Sequence, residues 1–433
     1  MKKRTASALF FVMISALSMI SGIFIQRQGV PAQILYSIKK SVFTETPDSQ
    51  DYTKPVANTY LEIFGIPTEV FDPLDSYIYK TGEESGPLDS SYRYYWHYEE
   101  IADYLVSDEA KSDAIEAKNE FWVLEEENSD VSFDKIEKKR TFLKKTLGVK
   151  DLAPHCRVQS SEFVHQGNHI EIKRLLLESR IHSISVPVYS VLPDKPVKGV
   201  VIAVHGHSGA PEKVIGLEER DYTRAFGKKL AEAGYAVFAP YVLNISRLNT
   251  NIHALGMLYS GNTKYSIDIQ KLLSVVDYIK ADPALSELPV ILYGISYGGR
   301  LSFMLAAIDE RIDILVSSGG MKLNLEFLDA HFSLENRVYW DSEVIFNRPY
   351  HVHFRFFDLA EMFFPKPLIL EIGSYDLGDH PDAIVHEWEN MKKIYSRNGN
   401  TENLKLAWFR GYHETAPQLT IPMIDALVEN MNR

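Results

Sequence analysis

Residues 290–300 read VILYGISYGGR. An apolar, β-branched run reaches Gly294, a lone serine, Ser296, stands between two glycines, and a helix-compatible run, LSFMLAAI, starts at Leu301. Strand, tight turn and helix form the context in which a G-x-S-x-G turn lifts a serine hydroxyl above a sheet as a nucleophile. Ser296 is therefore the candidate nucleophile, and the fold follows from the sheet to which its strand belongs.

From about residue 160 onward, short β-rich segments alternate with helical patterns. KGVVIAVHGH, AVFAPYV, PVILYG, IDILVSS, PLILEIG and LKLAWF are apolar almost throughout, as strands are when helices cover both faces of a mainly parallel sheet. Between them lie helical patterns such as TRAFGKKLAEAG, which stops at Gly234, and DIQKLLSVVDYIKAD. HIEIKRLLLES and ISVPVYSVL predict a hairpin ahead of the parallel part. The expected fold is α/β, with a two-stranded antiparallel start.

In open α/β sheets, ligands and reactive groups collect beyond the carboxyl ends of the strands. Those ends read HGHSG, GISYGG, GSYDLGD and RGYHET, so Ser, Asp and His arrive in that order. A serine needs a base to take its proton, and the base needs a third group to hold its tautomer. His413, after the last strand, is the candidate base. Asp376 is the first choice for the acid, with Asp379 second and Asp382 behind it. A tetrahedral intermediate also needs two donors aimed at its oxyanion. The amide of Tyr297 is one candidate; the other comes from HGHSG, with His207 preferred and Ser208 as runner-up. His205 is expected to pack under that loop, and no carboxylate stands at ligand spacing beside His205 and His207, so no metal is expected there. His253, His331, His351, His353 and His386 lack a strand-end position.

From about residue 165 to the end the chain resembles the α/β-hydrolase superfamily, and within it the dienelactone-hydrolase-like and acetyl-xylan-esterase-like branch. The likeness lies in VYSVLPDKPVKGVVIAVHGHSG, AEAGYAVFAPYV, the helix SIDIQKLLSVVDYIK with Asp268, and FFDLAEMFFPKPLILEIGSYD. It implies an α/β-hydrolase fold, a triad of Ser296, Asp376 and His413, oxyanion donors at Tyr297 and His207, and no cofactor or metal. Two departures stand out. Tyr241 occupies a place where relatives commonly carry an acid, and residues 322–365 form an aromatic-rich insertion expected to fold over the site.

The rest of the chain bounds these expectations. With 433 residues, several structural units fit. A net charge of −12 without a basic cluster in the globular part argues against a nucleic-acid partner. Cys156 is the only cysteine, so neither an internal disulfide nor a cysteine-based zinc site is available. Lys2, Lys3 and Arg4 precede a long apolar run within residues 1–28, which predicts a signal peptide or an uncleaved anchor, the anchor being favoured for want of a clear cleavage site. Either places the remainder outside the cytoplasm: membrane-anchored, or secreted or periplasmic. Residues 29–55 resemble a linker. Residues 56–155 predict a helical accessory region that includes the aromatic stretch SYRYYWHYEE at 91–100, expected to be core or interface mass. The catalytic domain is expected over 160–433. Asn244 begins an Asn-Ile-Ser sequon.

Together these features predict a serine carboxylic-ester hydrolase working through an acyl-enzyme, its substrate a small-molecule or carbohydrate ester with a short acyl group. The carbohydrate part of that expectation comes from the resemblance alone. A serine peptidase of the same fold would share every catalytic residue. A non-catalytic binding member and a membrane-tethered scaffold acting through residues 56–155 are the remaining alternatives.

Overall fold

The computed structural model describes residues 136–431 except 168, 208, 219–220, 244–261, 322–349, 351–352, 377–380 and 398. The N-terminal apolar segment, the linker, most of the accessory region, Asp379, Ser208 and Asn244 lie outside the described residues. Among the described residues, no helix is long and apolar enough to cross a membrane.

One nine-stranded sheet organises the fold, in the order β1-β2-β3-β5-β4-β6-β7-β8-β9. β1 (Val158–Gly167), β2 (Ile170–Glu178) and β3 (Ser185–Pro193) form an antiparallel edge, and β3 pairs antiparallel with β5 (Ala236–Pro240). From there β4 (Val200–Val204), β6 (Val290–Ile295), β7 (Ile314–Ser318), β8 (Leu368–Gly373) and β9 (Leu404–Phe409) run parallel. This is the α/β-hydrolase fold that the sequence predicts. The antiparallel edge has three strands rather than two, because β1 pairs with the far side of the expected hairpin.

The apolar runs divide between two cores by the two-residue alternation of a strand. Val200, Ile202 and Val204 enter one core, while Val201 and Ala203 enter the other. The larger core is closed by α1 (Ile136–Leu147), α4 (Lys264–Ala281), α5 (Tyr297–Ile308), α6 (Phe356–Phe363) and α7 (Pro381–Ser396). The smaller takes the short α2 (Pro211–Val214), α3 (Phe226–Glu232) and α8 (Pro417–Met431). The predicted stop is present, α3 ending before Gly234 at φ +102°, and α1 likewise ends before Gly148 at φ +72°.

Two segments are more deeply integrated than the sequence suggests. Helix α1, the tail of the expected accessory region, buries Phe142, Leu143 and Leu147 in the larger core. Its Lys139 Nζ reaches Asp358 at 2.6 Å and Glu361 at 2.8 Å, both on α6. Helix α6, at the end of the expected insertion, packs into the core; residues 322–349 of that insertion lie outside the described residues. Phe356, Leu359, Met362 and Phe363 are buried, and Phe356 packs edge-on against Phe303 of α5.

Candidate active site

Strand β6 delivers Ser296 into a turn with φ 59° and ψ −120°, a left-handed conformation that costs a non-glycine residue of order 1–3 kcal/mol. Gly294 and Gly298 permit this turn. A Cβ at Gly294 would lie 2.2 Å from the carbonyl oxygen of Gly298, and one at Gly298 would lie 2.3 Å from that of Val204. Two backbone bonds fix the turn: Ser296 N–H donates to Ser318 O at 2.7 Å, and Arg300 N–H donates to Ser296 O at 3.0 Å. The serine is half-buried at the N-terminus of α5.

The two remaining triad candidates meet. Nδ1 of His413 lies 2.9 Å from both carboxylate oxygens of Asp376. The loops after β8 and β9 are laced together for this: Ser374 N–H donates to Phe409 O at 2.8 Å and Tyr375 N–H to Gly411 O at 2.9 Å. Asp376 N–H turns back onto Gly373 O at 2.9 Å. The Asp376 side chain is 4% exposed and that of His413 is 30% exposed, so the acid is shielded while the ring reaches the surface. Gly319 lies under the pair, because a Cβ there would meet Asp376 Oδ2 at 2.7 Å and the His413 ring at 2.9 Å. Its neighbour Ser318 accepts from Ser296 N–H and donates its hydroxyl to Glu414 O at 3.2 Å. One residue thus ties the serine turn to the histidine loop. A narrow cleft lined by Ser317, Met321, Ile372 and Ile384 opens beside Asp376.

The oxyanion candidates are also held from behind. The Tyr297 hydroxyl donates to Asp268 Oδ2 at 2.7 Å, and Lys264 Nζ lies 4.2 Å from the centre of its ring. Asp268 accepts Leu243 N–H as well, with Lys271 Nζ 3.7 Å away. Burial pushes the Asp268 carboxyl above the usual range, against the pull of Lys271, Tyr297 and the Leu243 amide. On the other side, the His207 ring lies 5.2 Å from that of Tyr297. His205 is fully buried, as expected: Nδ1 donates to Gly206 O at 2.9 Å and Nε2 accepts Val242 N–H at 3.2 Å. Burial lowers its pKa to about 3, so it is neutral and ties the loop after β4 to the end of β5.

Sequence reasoning missed three residues here. Tyr222, in the lead-in to α3, donates to His207 O at 2.9 Å and stacks on His413. Arg224 Nε lies 3.4 Å from Glu414 Oε2, both side chains almost fully buried beside His413. Glu212 on α2 meets Tyr241: its Oε1 accepts the hydroxyls of Tyr241 and Tyr189. Burial raises the Glu212 carboxyl despite those two donors. Of the other histidines, His353 packs against Phe142 and His386 against Phe357. His253, His331 and His351 lie outside the described residues, as do Asp379 and the side chain of Asp382.

Fold and strand-end geometry define the class: an α/β-hydrolase. Residues 186–332 match the dienelactone hydrolase family. A Bacillus subtilis (strain 168) protein named "Putative hydrolase YtaP" is 22% identical over 262 residues, covering 57% of this chain and 83% of its own length. Among solved structures, one described as a putative acetyl xylan esterase from Bacteroides fragilis NCTC 9343 superposes with TM-score 0.55 at 14% identity, covering 67% of this chain and 87% of its own. An acetyl xylan esterase from Paenibacillus sp. R4 gives TM-score 0.47 at 15% identity, covering 71% of this chain and 98% of its own.

Proposed function

We propose that the protein is a serine carboxylic-ester hydrolase acting on short-acyl esters, acetylated carbohydrates foremost. The contact of His413 Nδ1 with both Asp376 oxygens, beside a serine held in a strained strand-to-helix turn, carries this reading. Asp376 keeps the proton on Nδ1, leaving Nε2 as the base that takes the Ser296 proton while Oγ attacks the acyl carbon. The amides of Tyr297 and His207 receive the developing oxyanion. The imidazolium returns its proton to the departing alkoxide, which leaves as the alcohol. Water, deprotonated by the same histidine, then releases the carboxylic acid and free Ser296. The family match over residues 186–332 supports hydrolysis of an ester, and the acylated carbohydrate rests on the likeness to the structure described as a putative acetyl xylan esterase. No nucleic-acid partner is invoked. The apolar N-terminal segment is read as the anchor or signal that carries the catalytic domain out of the cytoplasm.

Hydrolysis of p-nitrophenyl esters from acetyl to octanoyl, by the wild type and by Ser296→Ala, tests this. The reading requires turnover that falls with acyl length and disappears in the variant. A folded protein that cleaves none of these esters would overturn it, and cleavage of peptide amides instead would move it to the peptidases.

A further inference from the structure

Three possible metal ligands converge away from the serine site. His155 Nε2 lies 2.8 Å from Glu178 Oε2, and the His155 and His182 rings meet edge to face at 4.9 Å. One ligand atom from each of His155, Glu178 and His182 falls within 4.8 Å of the others. We propose that these three residues bind a divalent first-row transition ion, zinc foremost, with water completing its coordination.

The donor set suits that class of ion: two imidazoles and one carboxylate are ordinary zinc ligands at about 2.0–2.2 Å, and alkaline-earth cations prefer all-oxygen sites. Ligand atoms adjacent on such an ion are separated by about 2.9 Å in octahedral and 3.4 Å in tetrahedral geometry. The His155–Glu178 pair already has such a spacing, and its shared hydrogen bond is the contact an ion would replace. His182 is exposed on a turn, so its side chain can close the remaining gap.

The scaffold under the ligands is built. Glu178 N–H donates to Arg157 O at 2.9 Å, which fixes the His155 segment against the end of β2. His155 N–H donates to Asp277 Oδ2 at 2.9 Å, and the same carboxylate is gripped by Arg180 and Arg311. Ser179 N–H to Ile184 O at 3.0 Å and Ile184 N–H to Ile181 O at 2.9 Å close the turn that presents His182. Arg157 Nη1, 3.9 Å from Glu178, is the competing cation, but its side chain is 74% exposed and can leave for water. Glu178 pairs with Ser185 at the edge where β5 also ends. Four strand spacings separate β2 from β6, about 19 Å across the sheet. A bound ion would therefore clamp the antiparallel edge without touching the serine centre.

Calorimetric titration of chelator-treated full-length protein with zinc alone tests the proposal, beside Co2+ absorbance in the visible range as a report of bound imidazole. One equivalent per chain is expected, with a rise in melting temperature. His182→Ala and Glu178→Gln should each weaken binding at least about tenfold and cancel the thermal shift, since loss of even an outer-sphere partner costs 10–100-fold. His413→Ala should keep the full stoichiometry, separating this site from the catalytic histidine. Circular dichroism establishes that His182→Ala is folded. No zinc uptake by the wild type, or uptake unchanged in a folded His182→Ala, overturns the proposal.

Discussion

The ring of Tyr222 lies over that of His413, centroids 6.1 Å apart and planes 16° from parallel, while its hydroxyl donates to the carbonyl of His207. One side chain thus joins the candidate base to the loop expected to supply an oxyanion donor. Its backbone adds to the link, because Thr415 N–H donates to Tyr222 O at 3.1 Å. Tyr222→Phe keeps the stack and removes the hydroxyl. A buried hydrogen bond of about 1–1.5 kcal/mol spent on loop position predicts about a tenfold fall in kcat, with the pH profile of kcat/KM unmoved. Steady-state kinetics across pH checks this; an unchanged kcat removes Tyr222 from the positioning role.

Asp376 is the proposed acid because both of its oxygens lie 2.9 Å from His413 Nδ1. Asp376→Asn should lower kcat by about four orders of magnitude through the wrong imidazole tautomer. Asp379→Asn should stay within about twofold of wild type. If kcat collapses in the second variant and survives in the first, the assignment is reversed.

Ser296 holds φ 59°, a conformation that glycine adopts freely. Ser296→Gly should therefore raise stability by about 1 kcal/mol while abolishing turnover, since relief of backbone strain outweighs the loss of a half-buried hydroxyl. Chemical denaturation measures it, and a less stable glycine variant would show the turn to be unstrained.

Glu371 lies fully buried on β8, accepting the Tyr293 hydroxyl at 2.8 Å and that of Thr420. Burial raises its carboxyl above the ordinary 4.5, the two hydroxyl donors opposing. A carboxyl raised on folding contributes stability that is complete below the unfolded value and is lost as pH rises through the folded one. Glu371→Gln should therefore gain melting temperature relative to wild type as pH is raised from 5 to 8. Taking the difference between the two proteins cancels the raised carboxyls of Glu212 and Asp268, and a constant difference would mean that Glu371 titrates normally.

The sequence disclosed what local pattern encodes. Six strands apolar almost throughout and a glycine stop at Gly234 made the fold legible, and the order of strand ends named Ser296, Asp376 and His413 as candidates. What it hid is set by three-dimensional neighbours. β1 went unread because nearly every side chain on it faces solvent, Phe163 included, so no alternation marks it. Tyr222 lies on irregular chain before α3 and Glu212 on the single-turn α2, and only the folded chain brings them to His413 and Tyr241. His155, Glu178 and His182 have no motif spacing, and they converge because β2 ends beside the segment leading into β1. Of the aromatic-rich 322–365, expected to fold over the site, residues 322–349 lie outside the described residues, while Phe356 near its end packs against Phe303 of α5.

The most direct test of the central claim is to treat the full-length protein with a fluorophosphonate and locate the adduct by peptide mass spectrometry. An activated serine displaces fluoride and keeps the phosphonyl group, and an ordinary one does not react. The account predicts one adduct per chain, on Ser296, formed as esterase activity disappears and absent from His413→Ala. An inactivated protein labelled at another residue, or an esterase that stays active and unlabelled, would contradict it.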